Sequence, residues 1–200
     1  PAEIPTEPCA DMRSFDDLLV AGQARAAQGQ PAAHPELHGG MLAQILYTSG
    51  TESLPKGAML SHRNMLSNAA MARAWTPTVT RGEGCVVYAV LPMFHAYGLT
   101  LCLTYAMSMG ARLVLFPKFD PDLVLKVIKK RPATVLPAVP PIYQRLLNAA
   151  DEAGVSLKGI QVAVSGAMPL DYALVTPWEE RTQGVLVEGY GLSECSPVLM

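Results

Sequence analysis

The chain has 200 residues, of which 50% are hydrophobic and 16% are charged, and its formal net charge is −2. This composition predicts one substantial folded domain, or part of a larger one, and excludes a disordered chain. The only basic run, residues 129–131, falls where a helix is expected to end, so nucleic-acid binding has little support. Four cysteines are scattered without a Cys-x-x-Cys pair, which favours reduced thiols in a cytosolic protein.

The sequence begins at Pro1 without a signal-peptide pattern and stops at Met200 just after a motif-rich segment, so we expect a piece of a longer protein. Residues 85–111 carry no charged side chain and are the one candidate for a membrane span. Prolines and glycines interrupt this stretch, and its cleanest apolar part, residues 99–109, is too short to cross a bilayer. We expect a buried strand, a loop and a buried helix there.

Residues 1–40 are expected to form a lead-in that contains a short helix and a loop. Ser14 is a suitable N-cap for the helix, with Asp16 and Asp17 in the first turn. His34 and His38 lie four positions apart in the loop, but no carboxylate or thiolate cluster accompanies them. A metal site is therefore not expected at these histidines.

From residue 41 onward, short apolar strands alternate with helices. The predicted strands cover residues 41–47, 85–91, 112–116, 133–137, 160–165 and 185–188. The predicted helices cover residues 62–75, 98–109, 121–131, 141–150 and 170–183. This alternation predicts an α/β fold with a mainly parallel sheet, helices on both faces, and a ligand site at the carboxyl ends of the strands.

Prolines mark several of the predicted helix boundaries. Pro121 suits the start of one helix, and the pair Pro140 and Pro141 suits the start of the next. Pro177 falls inside the last predicted helix, where we expect it to kink or divide the helix.

The first segment with candidate chemistry is residues 47–57, which read Tyr-Thr-Ser-Gly-Thr-Glu-Ser-Leu-Pro-Lys-Gly. We place it between a strand and a helix that starts after Ser61. Hydroxyls, backbone N–H groups and the Lys56 ammonium suit an oxyanion with several negative charges. The segment is not a Walker A loop, because Pro55 precedes the lysine and Gly57 follows it.

Three further segments each follow a predicted strand: residues 91–98, 165–170 and 188–194. The Ser-Gly pair that opens the second allows a ligand to approach the backbone closely. In the third, glycines on either side leave Tyr190 free to stack on a planar ring, and Glu194 offers oxygen ligands to Mg²⁺. All four segments are expected at the carboxyl ends of strands.

Together, and in this order, the four segments resemble the ATP-dependent adenylate-forming superfamily of acyl-CoA synthetases, peptide-synthetase adenylation domains and luciferases. The phosphate loop of that superfamily matches residues 47–51 and 54–57, and residues 59–64 look like its continuation. Residues 91–98 are similar to its acyl-site motif, and residues 188–194 to its Tyr-Gly-x-Thr-Glu motif.

Among the subfamilies, bacterial long-chain fatty-acid–CoA ligases are the most similar, through residues 117–121 and 188–191. The resemblance covers residues 41–200, which it implies are an incomplete segment of the AMP-binding domain. The superfamily pattern continues to a ribose-binding aspartate and a mobile domain with a catalytic lysine, neither of which occurs here. We therefore expect the 200 residues alone not to turn over.

The resemblance implies a two-step reaction that uses Mg·ATP and takes CoA as co-substrate. A carboxylate, here a fatty acid, attacks the α-phosphate of ATP, and CoA thiol then displaces AMP to give the acyl-CoA. Because the carboxylate and the triphosphate repel each other, fixed hydrogen-bond donors and a metal ion must offset that repulsion.

Carried over by position, the catalytic residues are Lys56, His95 near the substrate carboxylate, and Glu194 as the Mg²⁺ ligand. His62 is interpreted as a structural residue at the helix start. The ATP-binding residues implied by the resemblance are Thr48, Ser49, Gly50, Thr51, Lys56, Ala167, Met168, Pro169, Glu188, Gly189, Tyr190, Gly191, Leu192 and Ser193.

Several alternatives stay open at the level of sequence. An acyl-AMP ligase and an aryl-CoA ligase share these motifs, and a nucleotide- or acyl-binding module without turnover would retain them. We expect a cytoplasmic protein without a transmembrane segment, and peripheral contact with the inner membrane stays open, although no basic amphipathic helix supports it.

The sequence departs from the superfamily pattern at two places. Glu52 and Ser53 stand where the phosphate loop has a threonine and a glycine. Ala167 and Met168 stand where the superfamily has a glycine and an alanine, and we expect Met168 to narrow the adenine or acyl pocket.

We predict that the double substitution Glu52→Thr and Ser53→Gly strengthens ATP binding. A carboxylate ~4 Å from the triphosphate costs about 1–4 kcal/mol when partly screened, and a serine that must adopt positive φ costs about 1 kcal/mol. Calorimetric titration of both proteins with ATP measures the difference. An unchanged dissociation constant would mean that Glu52 points away from the phosphates.

Overall fold

The computed structural model describes residues 14–30, 36–48 and 54–199. They belong to two units, Pro1–Leu37 and His38–Met200. In the first unit, helix α1 covers Phe15–Ala27. Ser14 caps it as predicted, because its hydroxyl accepts a hydrogen bond from the backbone N–H of Asp17, whose carboxylate accepts one in return from the N–H of Ser14.

The second unit contains a five-stranded parallel sheet in the order β4-β3-β5-β6-β7 and a separate two-stranded sheet. The α/β prediction is confirmed. The strands are β1 (Leu42–Thr48), β2 (Lys56–Ser61), β3 (Val86–Ala89), β4 (Arg112–Leu115), β5 (Val135–Ala138), β6 (Val162–Ser165) and β7 (Val185–Glu188).

The two-stranded sheet corrects the prediction for the first segment. β1 does not join the parallel sheet; it pairs antiparallel with β2, and Thr48 lies opposite Lys56. The predicted phosphate loop therefore connects two strands of a hairpin rather than a strand and a helix. β2 was missed because its six residues run directly into the N-cap signal at Ser61, which dominated the interpretation of this stretch.

The helices of the second unit begin mostly where the sequence predicts. They are α2 (His62–Trp75), α3 (Ala96–Gly98), α4 (Tyr105–Met109), α5 (Pro121–Ile128), α6 (Pro140–Ala153) and α7 (Val175–Thr182), and a π-helical stretch, Leu99–Thr104, joins α3 to α4. The predicted start of α2 is confirmed, and a capping box between Ser61 and Asn64 fixes it. Among the described residues, no helix is long and apolar enough to cross a membrane.

The last predicted helix is divided, but ahead of Pro177 and not by it, so the prediction that Pro177 kinks or divides the helix is wrong. A 3-10 turn, Tyr172–Leu174, precedes α7, and Pro177 occupies the third position of α7. The first N–H groups of a helix have no partner within the helix, so a proline there removes no hydrogen bond.

The core lies on both faces of the parallel sheet. Alternate residues of a strand point to opposite faces. Accordingly, Val86 and Tyr88 of β3 pack with α5, α6 and α7, whereas Val87 packs with α4 and part of α2. The three cysteines among the described residues are free thiols, and burial raises the pKa of Cys102 to about 12.

The chain reverses its order of strand addition between β3 and β5. From β3 it adds β4 on one side, and it then adds β5, β6 and β7 on the other. β5 pairs with β6 over four positions, but its pairing with β3 is limited to Val87 and Val135. Pro137 lies in this central strand and has no N–H to extend a ladder. The β3–β5 boundary is a topological switch point, where ligands bind in open parallel sheets.

We predict that Asp120→Ala lowers the free energy of unfolding by about 1 kcal/mol. Asp120 caps α5, where its Oδ1 accepts hydrogen bonds from the N–H groups of Asp122 (3.0 Å) and Leu123 (3.3 Å). Urea unfolding of the full-length protein measures the loss. Asp120→Asn keeps an acceptor oxygen and should lie close to the wild type; equal losses for both substitutions would contradict the capping role.

Candidate active site

Three of the four motif segments meet at the carboxyl edge of the parallel sheet. They follow β3, β6 and β7, and the last residues of β6 and β7, Ser165 and Glu188, are register partners. The backbone N–H of Gly189 donates to the carbonyl of Ser165 at 2.6 Å, so the ladder continues into the segment that carries the remaining predicted residues.

A cavity of about 470 Å³ opens at this edge. Its wall includes Thr48 from the hairpin, so all four segments except the undescribed part of the phosphate loop contribute to one space. The predicted site residues in the wall are Thr48, His95, Ala167, Gly189, Tyr190, Gly191, Leu192, Ser193 and Glu194. Tyr190 is 64% exposed and Glu194 is also exposed, so both side chains are free to meet a ligand.

Four predicted site residues lie outside the wall. Lys56 is the exposed first residue of β2, and its carbonyl accepts a hydrogen bond from Thr48 Oγ1 at 3.4 Å. Met168, which we expected to narrow the pocket, is half exposed and does not line the cavity, nor does Pro169. Ser49, Gly50 and Thr51, together with Glu52 and Ser53, lie outside the described residues.

Glu188 is the fourth predicted site residue that does not line the cavity, and it has a supporting role. Its Oε1 accepts a hydrogen bond from the backbone N–H of Leu170 at 2.9 Å. This bond ties the end of β7 to the segment that follows β6. In the structure Glu188 therefore fixes the course of residues 166–170.

His95 caps α3 with its ring. The Nδ1 atom accepts a hydrogen bond from the backbone N–H of Tyr97 at 3.2 Å. A neutral imidazole that accepts at Nδ1 carries its proton on Nε2. His95 lines the cavity, and in this tautomer its Nε2–H is a donor that suits a carboxylate or phosphate oxygen.

Two buried tyrosines, which sequence reasoning missed, hold the ends of β5 and β6. The Tyr97 hydroxyl lies 3.1 Å from the carbonyl oxygen of Ala138 and 2.5 Å from that of Val164. The Tyr143 hydroxyl lies 2.6 Å from the same Val164 oxygen. Burial raises the pKa of both tyrosines, so they remain protonated donors. Tyr97 belongs to a segment the sequence singled out, whereas nothing in the sequence distinguished Tyr143.

Tyr97 also explains the glycine that follows β6. A Cβ atom on Gly166 would lie 3.1 Å from the Tyr97 ring and 3.4 Å from the carbonyl oxygen of Gly189. Contacts at these distances leave no room for a larger side chain without a shift of the ring. The glycine of the Ser-Gly pair therefore allows the end of β6 to pack closely against Tyr97 and Gly189.

Residues 189–199, hereafter the 189–199 turn, carry Tyr190, Ser193 and Glu194. Gly191 and Val198 form an antiparallel bridge, and a 3-10 turn, Ser193–Cys195, lies at the tip. A Cβ atom on Gly191 would fall 2.1 Å from the carbonyl oxygen of Pro197, so only glycine fits there. The two arms of the turn are thus in direct backbone contact.

Ala167 adopts φ of +65°, in the left-handed region that L side chains rarely occupy. This is the position at which the superfamily pattern has glycine. The alanine therefore carries a conformational cost that glycine would not.

We predict that Ala167→Gly raises the free energy of unfolding by about 1 kcal/mol, because it relieves this strain. Ala149→Gly, in the middle of α6, is a control of opposite sign and should lower the free energy of unfolding by about 1 kcal/mol. Urea unfolding of the full-length protein measures both. Destabilisation by Ala167→Gly would show that the alanine methyl group contributes more by packing than its backbone costs.

The sequence of the chain is similar to those of several CoA ligases. It is 42% identical over 157 residues to a long-chain-fatty-acid–CoA ligase of Bacillus subtilis, which covers 78% of this chain and 28% of the relative. It is 35% identical over 155 residues to 4-coumarate–CoA ligase 1 of Arabidopsis thaliana, with 76% and 28% covered. The chain thus spans less than a third of the length of these relatives.

Solved structures give the same result for the fold. The ATP-bound structure of MatB from Rhodopseudomonas palustris matches with a TM-score of 0.70 and 32% identity, over 87% of this chain and 34% of that one. A long-chain-fatty-acid–CoA ligase from Archaeoglobus fulgidus matches with a TM-score of 0.66 and 26% identity, over 78% and 32%. The family model described as AMP-binding enzyme matches residues 3–200, and the chain therefore belongs to the AMP-binding enzyme family.

Proposed function

We propose that the chain is part of an AMP-forming acid–thiol ligase that activates a fatty acid with ATP and transfers it to CoA. The observation that carries the proposal is the single cavity in which Thr48, His95, Tyr190 and Glu194 meet, although they come from four separate segments. Each contributes a different interaction that this reaction needs. The resemblance of the motifs and the named relatives support the same assignment.

ATP would lie against the loop end of the β1–β2 hairpin. Thr48 and Lys56 face each other at the loop end of the hairpin, and Ser49, Gly50 and Thr51 follow Thr48 in the sequence of the loop. Hydroxyls and the lysine ammonium from this loop would bind the β- and γ-phosphates. The exposed ring of Tyr190 would stack on the adenine, beside Ala167 and the backbone of Gly189 and Gly191.

The donor set at the cavity fits a magnesium ion held jointly by protein and nucleotide. Among the described residues, no group of three or more His, Cys, Asp or Glu side chains forms a complete metal cage. Mg²⁺ is usually bound by one or two carboxylates with the remaining positions taken by water and substrate phosphates. Glu194 would supply that carboxylate, and the bound ion would neutralise charge on the triphosphate.

The acid would approach from the side of His95. The Nε2–H donor of His95 would bind an oxygen of the carboxylate and orient it toward the α-phosphate, while Ser193 would bind the α-phosphate itself. The wall beside His95 is apolar at Tyr97 and Leu101, which suits the first carbons of an aliphatic chain.

A fatty acid is the proposed substrate class because relatives from Bacillus subtilis and Yersinia pestis, 42% and 36% identical, are both named long-chain-fatty-acid–CoA ligases. The 35% identity to a 4-coumarate–CoA ligase makes an aryl acid the second candidate. We propose a cytoplasmic protein, for which a long-chain acid would bring peripheral contact with the inner membrane. Glu52 motivates the remaining candidate, a module that binds nucleotide or acyl group without turnover.

We predict carboxylate-dependent ATP–pyrophosphate exchange by the full-length protein that carries this chain, with long-chain acids above short and aromatic acids. Exchange with aromatic acids alone would mean that the substrate is an aryl acid and not a fatty acid. Binding of ATP without exchange on any acid would support the module without turnover, and exchange without acyl-CoA formation would support an acyl-AMP ligase.

The same assay tests the role of Glu194. Glu194→Gln keeps the size of the side chain but removes its charge, and we expect exchange to fall by about 100-fold because the metal loses its protein ligand. Glu152→Gln, an identical change on the exposed face of α6, is the matched control and should leave exchange unchanged. Equal rates for the two variants would exclude Glu194 as the metal ligand.

A further inference from the structure

Asn68 is a polar residue in the middle of α2, yet only 1% of it is exposed. Its Nδ2 donates to the carbonyl oxygens of Val198 at 2.6 Å and Cys195 at 3.3 Å, and its Oδ1 accepts from the N–H of Val198 at 3.3 Å. All of these bonds reach the 189–199 turn. None is local to the helix.

The side-chain amide of Asn68 makes the hydrogen bonds to Val198 that the backbone of a neighbouring strand would otherwise make. Val198 pairs with Gly191 on one side of the turn, and on the other side its N–H and carbonyl both bond to Asn68. A planar amide carries a donor and an acceptor side by side, as a strand backbone does. An aspartate would place a carboxylate against two carbonyl oxygens, and an aliphatic residue would leave buried backbone groups unpaired.

This side chain connects two parts of the proposed ATP site. β2 begins at Lys56 and runs directly into α2, so Asn68 is continuous in the chain with the hairpin that carries Thr48 and Lys56. The turn that it holds carries Ser193 and Glu194, which directly precede Cys195 and Ser196 in the chain. The N–H of Ser196 donates a hydrogen bond to the carbonyl of Ser193. A buried amide on α2, the helix that continues from the hairpin, therefore bonds the turn that carries Glu194.

Thr100 is a second anchor, but it comes from a different part of the fold. Its Oγ1 donates to the carbonyl oxygen of Ser196 at 2.8 Å from the π-helical stretch that follows the acyl-site segment. Thr100 therefore holds the turn against the π-helical stretch, whereas Asn68 holds it against α2. Of these two anchors, Asn68 is the one that lies on the same continuous β2–α2 segment as Lys56.

We propose that Asn68 is a positioning residue for metal–nucleotide binding. It would hold Glu194 in a fixed place relative to the Lys56 hairpin, so that the carboxylate is available to the Mg²⁺ ion that accompanies the nucleotide. This inference rests on the proposed function, because it takes Glu194 as the metal ligand. A residue with a merely structural role would lower stability without changing how strongly nucleotide binding depends on the metal.

The test compares Asn68→Leu and Asn68→Asp with the wild type in the full-length protein. Asn68→Leu removes every hydrogen bond while keeping the branching and the number of side-chain heavy atoms. Asn68→Asp keeps the acceptor but loses both donors. Either variant that folds is sufficient for the test. Asp120→Ala is the control, because it destabilises the fold through the α5 cap and does not touch the turn.

Two measurements are made on each protein. Amide hydrogen exchange without ligands should accelerate by about tenfold or more at residues 190–199 in the Asn68 variants but not in the control. Calorimetric titration with ATP should show affinity about tenfold weaker in the presence of Mg²⁺. Without Mg²⁺ the loss should be clearly smaller, because only the contacts of Tyr190 and Ser193 are then disturbed. Asp120→Ala should change neither affinity.

Equal losses of ATP affinity with and without Mg²⁺ would overturn the inference, as would unchanged exchange at residues 190–199. If the unsubstituted protein showed no Mg²⁺-dependent ATP binding at all, the proposed function itself would fail, and the inference would fall with it. Equal affinity losses or unchanged hydrogen exchange would refute only the role of Asn68 and would leave the proposed function intact. Failure of the inference and failure of the proposed function are therefore distinguishable.

Discussion

The candidate site depends on how the carboxyl edge of the sheet is held at the β3–β5 switch point. Pairing between these strands is limited to Val87 and Val135, and Pro137 cannot extend it. The Tyr97 hydroxyl, from the segment after β3, instead bonds the carbonyls of Ala138 and Val164. Because this hydroxyl is buried and protonated, it joins the two halves of the sheet while leaving the space above them open for the cavity.

Around this fixed edge, two groups assigned to the ligand, Tyr190 and Glu194, are exposed, whereas two supporting residues, Tyr97 and Asn68, are buried. Tyr190 and Glu194 face the cavity without a protein partner for their functional groups among the described residues, whereas Tyr97 and Asn68 use their polar atoms entirely within the protein. A ligand would be met by groups that need no prior bond to be broken, with the aromatic ring of Tyr190 open to stacking and the carboxylate of Glu194 open to a cation. Preorganisation of this kind lowers the cost of binding and of reaction.

The sequence predicted most of the parallel sheet and the helix starts because prolines and capping residues act locally, as at Pro121 and Ser61. It predicted the wrong partner for β1, since a strand pattern does not reveal which strand it pairs with. Asn68 and Tyr143 were missed for a related reason. Their roles arise from hydrogen bonds to residues 130 and 21 positions away, and no short motif encodes such contacts.

The two glutamates of the last motif show why a motif alone does not assign roles. Glu188 and Glu194 are both exposed and belong to one seven-residue segment. The Glu188 carboxylate accepts the Leu170 N–H and so holds the loop in which Ala167 is strained at positive φ. The carboxylate of Glu194 accepts no such bond among the described residues and lines the cavity. Geometry therefore gives the supporting role to Glu188 and leaves Glu194 as the carboxylate available to a metal-bound nucleotide.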